Sequence, residues 1–199
     1  MADEVHTEAH GEIAEPQERL SPEAKARREA ALRLVRKYGD PVLRSRALEI
    51  DRFDDALVEE VRRMGRLMHD AYGIGLAATQ VGVMHRVLVY RTELEGAVAA
   101  LVNPVLEWSS KEKETSEEGC LSLPGVGVEV ERPVHVRVKA LDERGNPILV
   151  EASGLEARVI QHEMDHLDGV LIVDRTSRDQ RKQAMRTLRE QLEPRPAAA

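Results

Sequence analysis

Cysteine and aromatic residues are scarce in this sequence. Among its 199 residues there is one cysteine, Cys120, and the aromatic residues make up only 3%. A single cysteine excludes an intrachain disulfide, so we expect the protein to work in a reducing compartment. Because aromatic rings are few, aliphatic side chains must fill the core that the 42% hydrophobic content makes possible.

Long apolar stretches are also missing. No run of apolar residues approaches the roughly 20 residues that a membrane-spanning helix needs. The N-terminus lacks the basic and apolar regions of a secretory signal, and it is too acidic for a mitochondrial transit peptide. The sequence therefore predicts a cytoplasmic protein without a membrane segment.

Charge is distributed unevenly along the chain. The formal net charge is −7, which argues against a general DNA- or RNA-binding protein. Residues 1–22 contain six acidic residues against Arg19 alone, whereas residues 175–189 contain six basic residues against Asp179 alone. We expect residues 1–20 to be a disordered acidic extension and residues 177–199 to be a basic C-terminal helix and tail.

Hydrophobic periodicity predicts both helices and strands in the segment between these ends, residues 21–176. Helices are predicted from Ser21 to Lys37, over residues 53–72 with Gly73 ending the second, from Ser153 to Gly169, and from residue 176 or 177 to 192. Strands are predicted at residues 86–90, 98–102, 127–131, 134–139, 148–150 and 170–173, and a charged loop at residues 111–118. This order favours an α+β domain in which antiparallel sheets surround a central buried helix.

The predicted central helix carries residues 161–169, QHEMDHLDG. His162 and His166 are four residues apart and thus share one helix face. Two imidazoles in this arrangement can bind one metal ion, and Glu163 can hold a water beside it. The alternative is a core helix whose histidines are only hydrogen-bonded.

A catalytic metal site needs a third protein ligand. A third histidine six residues after His166 is absent, since Ile172 occupies that position. Glu190 lies on a basic helix that we expect to be exposed. Cys120 is the remaining option, because a thiolate binds ferrous iron or zinc well. It could instead be a buried apolar residue or a nucleophile paired with histidine.

A glycine-rich segment, residues 73–82, precedes the first strand. It is not a phosphate-binding loop of the usual kind, because no Lys-Ser/Thr pair follows and no strand comes before it. Glycine allows another chain to approach the backbone closely, so a wall for a peptide backbone is the better interpretation.

Three segments resemble, in this order, the three motifs of peptide deformylases. They are residues 73–80 (GIGLAATQ), 118–122 (EGCLS) and 161–166 (QHEMDH), and residues 39–44 resemble that family's opening segment. The resemblance covers about residues 36–176. It implies a metal-dependent hydrolase that removes the formyl group from the initiator methionine of new polypeptides and releases formate.

The resemblance also implies a ligand set and catalytic roles. Cys120, His162 and His166 would bind one divalent metal ion, with ferrous iron as the expected metal and zinc, nickel or cobalt as possible replacements. Glu163 would act as general base and then general acid. The Gln80 amide and the Leu121 backbone N–H would stabilise the negative charge on the formyl oxygen.

Substrate contacts follow from the same resemblance. Ile74, Leu155 and Val159 match positions that line the methionine slot, and Gly75 suits a close approach of the substrate. Arg158 departs from the aliphatic residue of some members, and we expect its stem to cover the slot while its guanidinium reaches water.

Other positions allow more than one interpretation. Some family members have an arginine at the position of Gly127. Because this chain lacks it, a charge pair at that position is not carried over. Asp165 and Asp168 could orient the ligands or be merely solvated. The basic last helix could contact ribosomal RNA or be a solvated surface. Two rival functions remain: a zinc peptidase with a carboxylate third ligand, and a catalytically silent relative that docks on ribosomes.

Overall fold

The chain, analysed as a computed structural model, is described over residues 20–93 and 96–192. Apart from Leu20, the predicted acidic extension lies outside these ranges, as does the end of the predicted tail. The helices are α1 (Pro22–Leu34), α2 (Asp55–Asp70), α3 (Gly154–Leu167), α4 (Ile172–Arg175) and α5 (Arg178–Leu192). The strands are β1 (Gly75–Ala77), β2 (Val87–Tyr90), β3 (Ala99–Ser109), β4 (Lys113–Gly119), β5 (Gly127–Pro133), β6 (His135–Leu141) and β7 (Pro147–Ser153). None of the described helices has the length and apolar character that crossing a membrane requires.

The strands form two antiparallel sheets. Five strands pair in the order β1-β2-β3-β6-β7, and β4 pairs with β5 as a separate hairpin. Helix α3 packs on one face of the larger sheet and α2 on the other. Alternate residues of β2 show this: Val87 and Val89 face α2, whereas Leu88 and Tyr90 face α3. The predicted α+β fold with a central buried helix is confirmed.

Helix α3 is apolar on several sides because sheets and loops surround it. Ala157, Ile160 and Leu167 are buried against the larger sheet. Ser153 is the residue before the helix, as predicted, although its side chain makes no capping hydrogen bond. Gly169 has φ +73° and ends the helical segment.

The hairpin β4–β5 has a core of its own. Its buried side chains, among them Val128 and Val130, pack with Cys120 and with apolar residues of α4 and α5. Ala184 and Leu188 of α5 belong to this cluster. The basic C-terminal helix is therefore packed on the hairpin whose connecting segment begins with Cys120.

Two sequence-based predictions are wrong in this region. Residues 111–118 were expected to be a loop, but β4 begins at Lys113, because its charged side chains stay in water beside their partners on β5. Lys113, for example, is 2.8 Å from Glu131. Residues 170–173 were expected to be a strand, but α4 begins at Ile172. The Leu171 N–H donates to Asp174 Oδ2 at 2.9 Å, and this bond supports a helical turn.

Helix boundaries also differ from the prediction. Helix α1 starts after the Ser21 cap as expected but ends at Leu34, because the following residues extend and hydrogen-bond to other segments. Helix α2 ends at Asp70, and Tyr72 rather than Gly73 takes the left-handed conformation, with φ +59°. Strand β3 continues past the predicted end through Asn103, whose side chain bonds both backbone groups of Ile50.

Candidate active site

Three potential metal ligands meet at one buried point. Cys120 follows β4, while His162 and His166 lie one turn apart on α3. One ligand atom from each residue lies within 4.8 Å of the other two, and all three residues are buried. The Cys120 Sγ and His166 Nε2 atoms are 3.2 Å apart. A soft thiolate with two imidazoles fits a divalent iron or zinc ion.

Glu118 fixes the orientation of the first histidine. Its Oε2 atom lies 3.0 Å from His162 Nδ1, which leaves His162 Nε2 for a metal ion. Burial would raise the pKa of Glu118, but hydrogen bonds from Arg132 and His162 hold that pKa far below its usual range. The carboxyl group is therefore a permanent anion behind the ligand.

Two buried arginines neutralise this anion. Arg132 donates from Nε to Glu118 Oε1 (2.6 Å) and from Nη2 to Oε2 (2.9 Å). Arg158 donates from Nη1 to Glu118 Oε1 at 2.8 Å. Arg158 also donates to the carbonyl oxygens of Val130 and Glu114, at 2.9 and 2.8 Å. The expectation that its guanidinium reaches water is wrong, because only 5% of this residue is exposed.

The two histidines have opposite electrostatic surroundings. Burial would lower the pKa of His162, but hydrogen bonds with Cys120 and Glu118 raise it well above its usual value. Burial and the neighbouring His162 charge lower the pKa of His166 well below its usual value. Within the described residues, His166 Nδ1 is a buried atom without a hydrogen-bond partner.

Glu163 lies on α3 between the two histidines and is buried. Its Oε2 atom is buried from solvent, yet it has no hydrogen-bond partner among the described residues. Burial is the main cause that raises the pKa of Glu163 to about 7. A carboxyl group with a pKa near neutrality can both accept and return a proton.

Gln80 approaches the site from the turn after β1. Its Oε1 atom accepts from the Ala77 N–H at 2.8 Å, which fixes the amide orientation. Its Nε2 atom lies 3.2 Å from Ser122 Oγ and 3.7 Å from Cys120 Sγ. The amide donor and the turn that carries Leu121 thus lie beside the cysteine sulfur.

A narrow cavity opens beside Glu163. It is lined by Ile74, Gly75, Glu118, Arg158, Val159, His162 and Glu163. Its volume of about 10 Å³ corresponds to roughly one water molecule. Leu155, one turn before Val159 on α3, does not line it and packs against the α3 core instead. A methionine side chain would require this cavity to widen.

Other candidates from the sequence lie outside the immediate site. Asp165 pairs with Arg132 at 2.9 Å and so reaches Glu118 through that arginine. Asp168 pairs with Arg86, the residue before β2, at 2.7 Å. Glu190 is exposed and pairs with Arg186, so it is not positioned as the third ligand.

Gly127 is exposed, and its nearest neighbour is the end of the exposed Glu117 side chain, which can move aside for a larger residue. A Cβ atom on Gly127 would stand 2.1 Å from Glu117 Oε1. In this chain, the Glu118 carboxylate forms ion pairs with Arg132 and Arg158.

Sequence reasoning missed the supports of the site. Glu118, Arg132 and Ser122 had no assigned role, although two of them stand in the EGCLS motif. The available signal was the acidic residue two positions before Cys120, because a carboxylate buried beside a metal ligand needs basic partners.

Comparisons with known proteins agree with the motifs. A family model described as polypeptide deformylase matches residues 32–182. The chain is 47% identical over 160 residues to a peptide deformylase of Acidothermus cellulolyticus, covering 80% of this chain and 87% of that relative. It is also 47% identical over 161 residues to peptide deformylase 1 of Corynebacterium glutamicum, covering 80% of this chain and 95% of the relative.

Solved structures of peptide deformylases also resemble this chain. A peptide deformylase structure from Plasmodium falciparum superposes with a TM-score of 0.75 at 37% identity, covering 78% of this chain and 93% of the other. One from Thermotoga maritima superposes with a TM-score of 0.69 at 44% identity, covering 72% and 96%.

Proposed function

The chain belongs to the polypeptide deformylase family of metal-dependent hydrolases, and we propose that it removes the formyl group from the N-terminal formylmethionine of newly synthesised polypeptides. The products are formate and a peptide with a free amino terminus. One observation carries the proposal: Cys120, His162 and His166 converge at a buried point with the unpartnered Glu163 carboxylate beside them.

The proposed cofactor is one divalent metal ion held by these three residues. Ferrous iron is the expected metal, and zinc, nickel or cobalt can replace it, because a thiolate with two imidazoles suits all of them. When bound, the ion supplies Lewis acidity that makes water a stronger acid near neutral pH. Glu118 supports the site by holding His162 in one orientation.

Glu163 moves the proton in the proposed reaction. Its Oε2 atom accepts a proton from the attacking water, whose oxygen forms a bond to the formyl carbon. The same carboxyl group then gives that proton to the leaving amine nitrogen as the carbon–nitrogen bond breaks. Burial of Glu163 keeps bulk water from competing for this proton.

Negative charge develops on the formyl oxygen during this attack. We assign its stabilisation to Gln80 Nε2, which lies 3.7 Å from Cys120 Sγ, and to the backbone N–H of Leu121, the residue after Cys120. Each such donor lowers the barrier by about 3 kcal/mol in other hydrolases. The bond from Ala77 N–H to Gln80 Oε1 supports this role, since it turns Nε2 toward the sulfur.

Selectivity for the formyl group follows from limited space. The Glu163 carboxylate lies directly against the backbone of Gly75, so a carbonyl carbon that approaches this carboxylate has room for a hydrogen more readily than for a methyl group. We place the methionine side chain in the cavity beside Glu163, which must widen to admit it. Ile74, Gly75 and Val159 form part of its wall, and we assign the methionine side chain to this wall and to Leu155 further along α3.

We also propose that the protein acts in the cytoplasm and docks on the ribosome through the exposed face of α5. That face carries basic side chains at Arg178, Lys182, Arg186 and Arg189. Replacing these four with glutamine should weaken salt-dependent ribosome binding. Glutamine at Arg27, Arg33, Arg62 and Arg63, exposed on α1 and α2, is the matched control. Equal binding by both variants would reject α5 as the docking surface.

Formate release tests the activity itself. Anaerobically prepared, ferrous-loaded protein should release one formate per formyl-methionyl peptide and should leave the acetyl-methionyl peptide intact. Metal-free protein provides the background rate. A fully loaded protein that released no formate would instead support a catalytically silent relative.

A further inference from the structure

Three consecutive residues after α1 bind both segments that approach the cysteine. The Arg36 N–H donates to the Gln80 carbonyl at 2.7 Å, and the Tyr38 N–H donates to the Ser122 carbonyl at 2.9 Å. Between them, the Lys37 ammonium donates from Nζ to the Leu121 carbonyl at 2.8 Å. The early end of α1 at Leu34 makes these bonds possible, because the chain runs extended from Val35.

The Lys37 bond continues to the cysteine sulfur. Its acceptor, the Leu121 carbonyl, belongs to the same peptide group as the Ser122 N–H. That N–H donates to Cys120 Sγ at 3.4 Å. An ammonium, a peptide group and the sulfur therefore form one chain of hydrogen bonds.

Hydrogen bonds in such a chain strengthen one another. A cation that donates to a carbonyl oxygen draws electron density through the peptide group, and the N–H of that group becomes a better donor. A stronger N–H donor withdraws charge from a thiolate. The Lys37 ammonium has three N–H donors, so it can donate to the Leu121 carbonyl and to another acceptor at the same time.

We propose that Lys37 is a positioning residue of the active site, which acts on the Cys120 sulfur through the Leu121–Ser122 peptide group. It reduces the electron donation of the thiolate to the metal ion, and it holds the turn that presents the Leu121 N–H. The inference rests on the proposed function in one respect, namely that Cys120 is a metal ligand.

Cobalt-loaded protein gives a readout that does not depend on turnover. A thiolate bound to Co²⁺ produces a sulfur-to-cobalt charge-transfer band in the near ultraviolet. The energy of this band reports how strongly the sulfur is hydrogen-bonded. The full-length variants are Lys37→Met, which removes the cation but keeps the stem, and Lys37→Arg, which keeps the cation. Lys25→Met, at an exposed position of α1, is the matched control.

We expect the band of Lys37→Met to move to longer wavelength. Lys37→Arg should return it toward the wild-type position, and Lys25→Met should leave it unchanged. Cobalt affinity, measured by chelator competition, should fall on the order of 10-fold in Lys37→Met, because the turn then holds Cys120 less firmly and this loss outweighs the stronger donation of the thiolate. In the ferrous-loaded Lys37→Met variant, kcat should fall while KM stays near the wild-type value. Lys37 contacts the turn after Cys120 and does not contact the substrate peptide.

Other results would overturn the proposal. An unchanged band in fully loaded Lys37→Met protein contradicts it, even if cobalt affinity is lower, because a merely structural role produces that combination. Equal band shifts in Lys37→Met and Lys37→Arg contradict it as well, since the cation would then be irrelevant. If Lys37→Met does not fold, Lys37→Gln provides the same comparison.

Failure of the underlying function would look different. If Cys120 is not a ligand, the wild-type cobalt protein itself lacks the charge-transfer band. If the wild-type protein shows the band but substitutions of Lys37 do not shift it, Cys120 is a metal ligand and only the role of Lys37 is rejected.

Discussion

The Glu163 carboxylate lies directly against the backbone of Gly75. A Cβ atom at position 75 would stand 2.3 Å from Glu163 Oε1 and 2.9 Å from its Cγ. The glycine of β1 therefore creates the space in which the buried carboxyl group rests. This relationship connects the glycine-rich motif to the proposed base.

Gly75→Ala should displace the base without unfolding the protein. The new methyl group forces the Glu163 side chain aside, and a displacement of about 1 Å can cost roughly 100-fold in turnover. Gly119→Ala is the control, since its Cβ would meet only the Val126 carbonyl, at 4.0 Å. Turnover and urea unfolding of both variants test this, and equal turnover would show that the contact is unimportant.

Glu163→Gln should separate metal binding from proton transfer. The amide preserves shape but cannot accept the water proton, so turnover should fall on the order of 100- to 10,000-fold. Metal content should remain at the wild-type level because Glu163 is not a proposed ligand. Near-normal formate release by the metal-loaded variant would require a different base.

Arg158→Met should destabilise the fold through the buried charge network. The substitution leaves the carbonyl groups of Val130 and Glu114 without this donor, and it removes one cation from Glu118. We expect a loss of about 3 kcal/mol in the free energy of unfolding.

Arg137→Met is the control for that measurement. Arg137 lies on β6 with its side chain 43% exposed and pairs with Glu151 at 2.6 Å, so its loss should cost less than about 1 kcal/mol. Urea denaturation at neutral pH compares the two variants. Similar losses would mean that the buried network contributes no more than a surface pair.

Asp174 should contribute stability that depends on pH. Partial burial raises its pKa, but the hydrogen bonds from Arg44 and from the Leu171 N–H outweigh this and lower it. Because the pKa of Asp174 is lowered in the folded state, its charge stabilises the fold fully above the pKa of an aspartate in the unfolded chain, about 3.9. That stability is lost as pH falls through the folded-state pKa.

Asp174→Asn isolates this charge, since the amide oxygen can still accept from Leu171. We expect it to lower the free energy of unfolding by about 0.5 kcal/mol at pH 7, because the Arg44–Asp174 pair is partly exposed to solvent. The difference from wild type should shrink between pH 5 and pH 3 by about that amount. A difference that stayed constant over this range would show that the charge is not responsible.

The sequence was most informative where the motif and the local helix geometry agree. The spacing of His162 and His166 predicted a shared helix face, and the structure brings both to Cys120. The residues lie together, while their roles remain predictions. The sequence was less informative for β4, because charged residues on a hairpin in water resemble a loop when read alone.

Long-range contacts explain the remaining differences. Arg158 is buried because three acceptors on the β4–β5 hairpin surround its guanidinium, and no local pattern reports them. The end of α1 is likewise determined by bonds from Arg36 and Tyr38 to distant segments. Tertiary hydrogen bonds of this kind override helix propensity at an end.

X-ray absorption at the metal edge tests the ligand set most directly. We predict one metal ion per chain with one sulfur and two imidazole nitrogens in its first coordination shell, and loss of the sulfur signal in Cys120→Ser. A zinc peptidase would instead show a carboxylate oxygen and keep its metal in that variant. A wild-type spectrum without a sulfur neighbour would contradict the assignment of Cys120, His162 and His166 as the metal site.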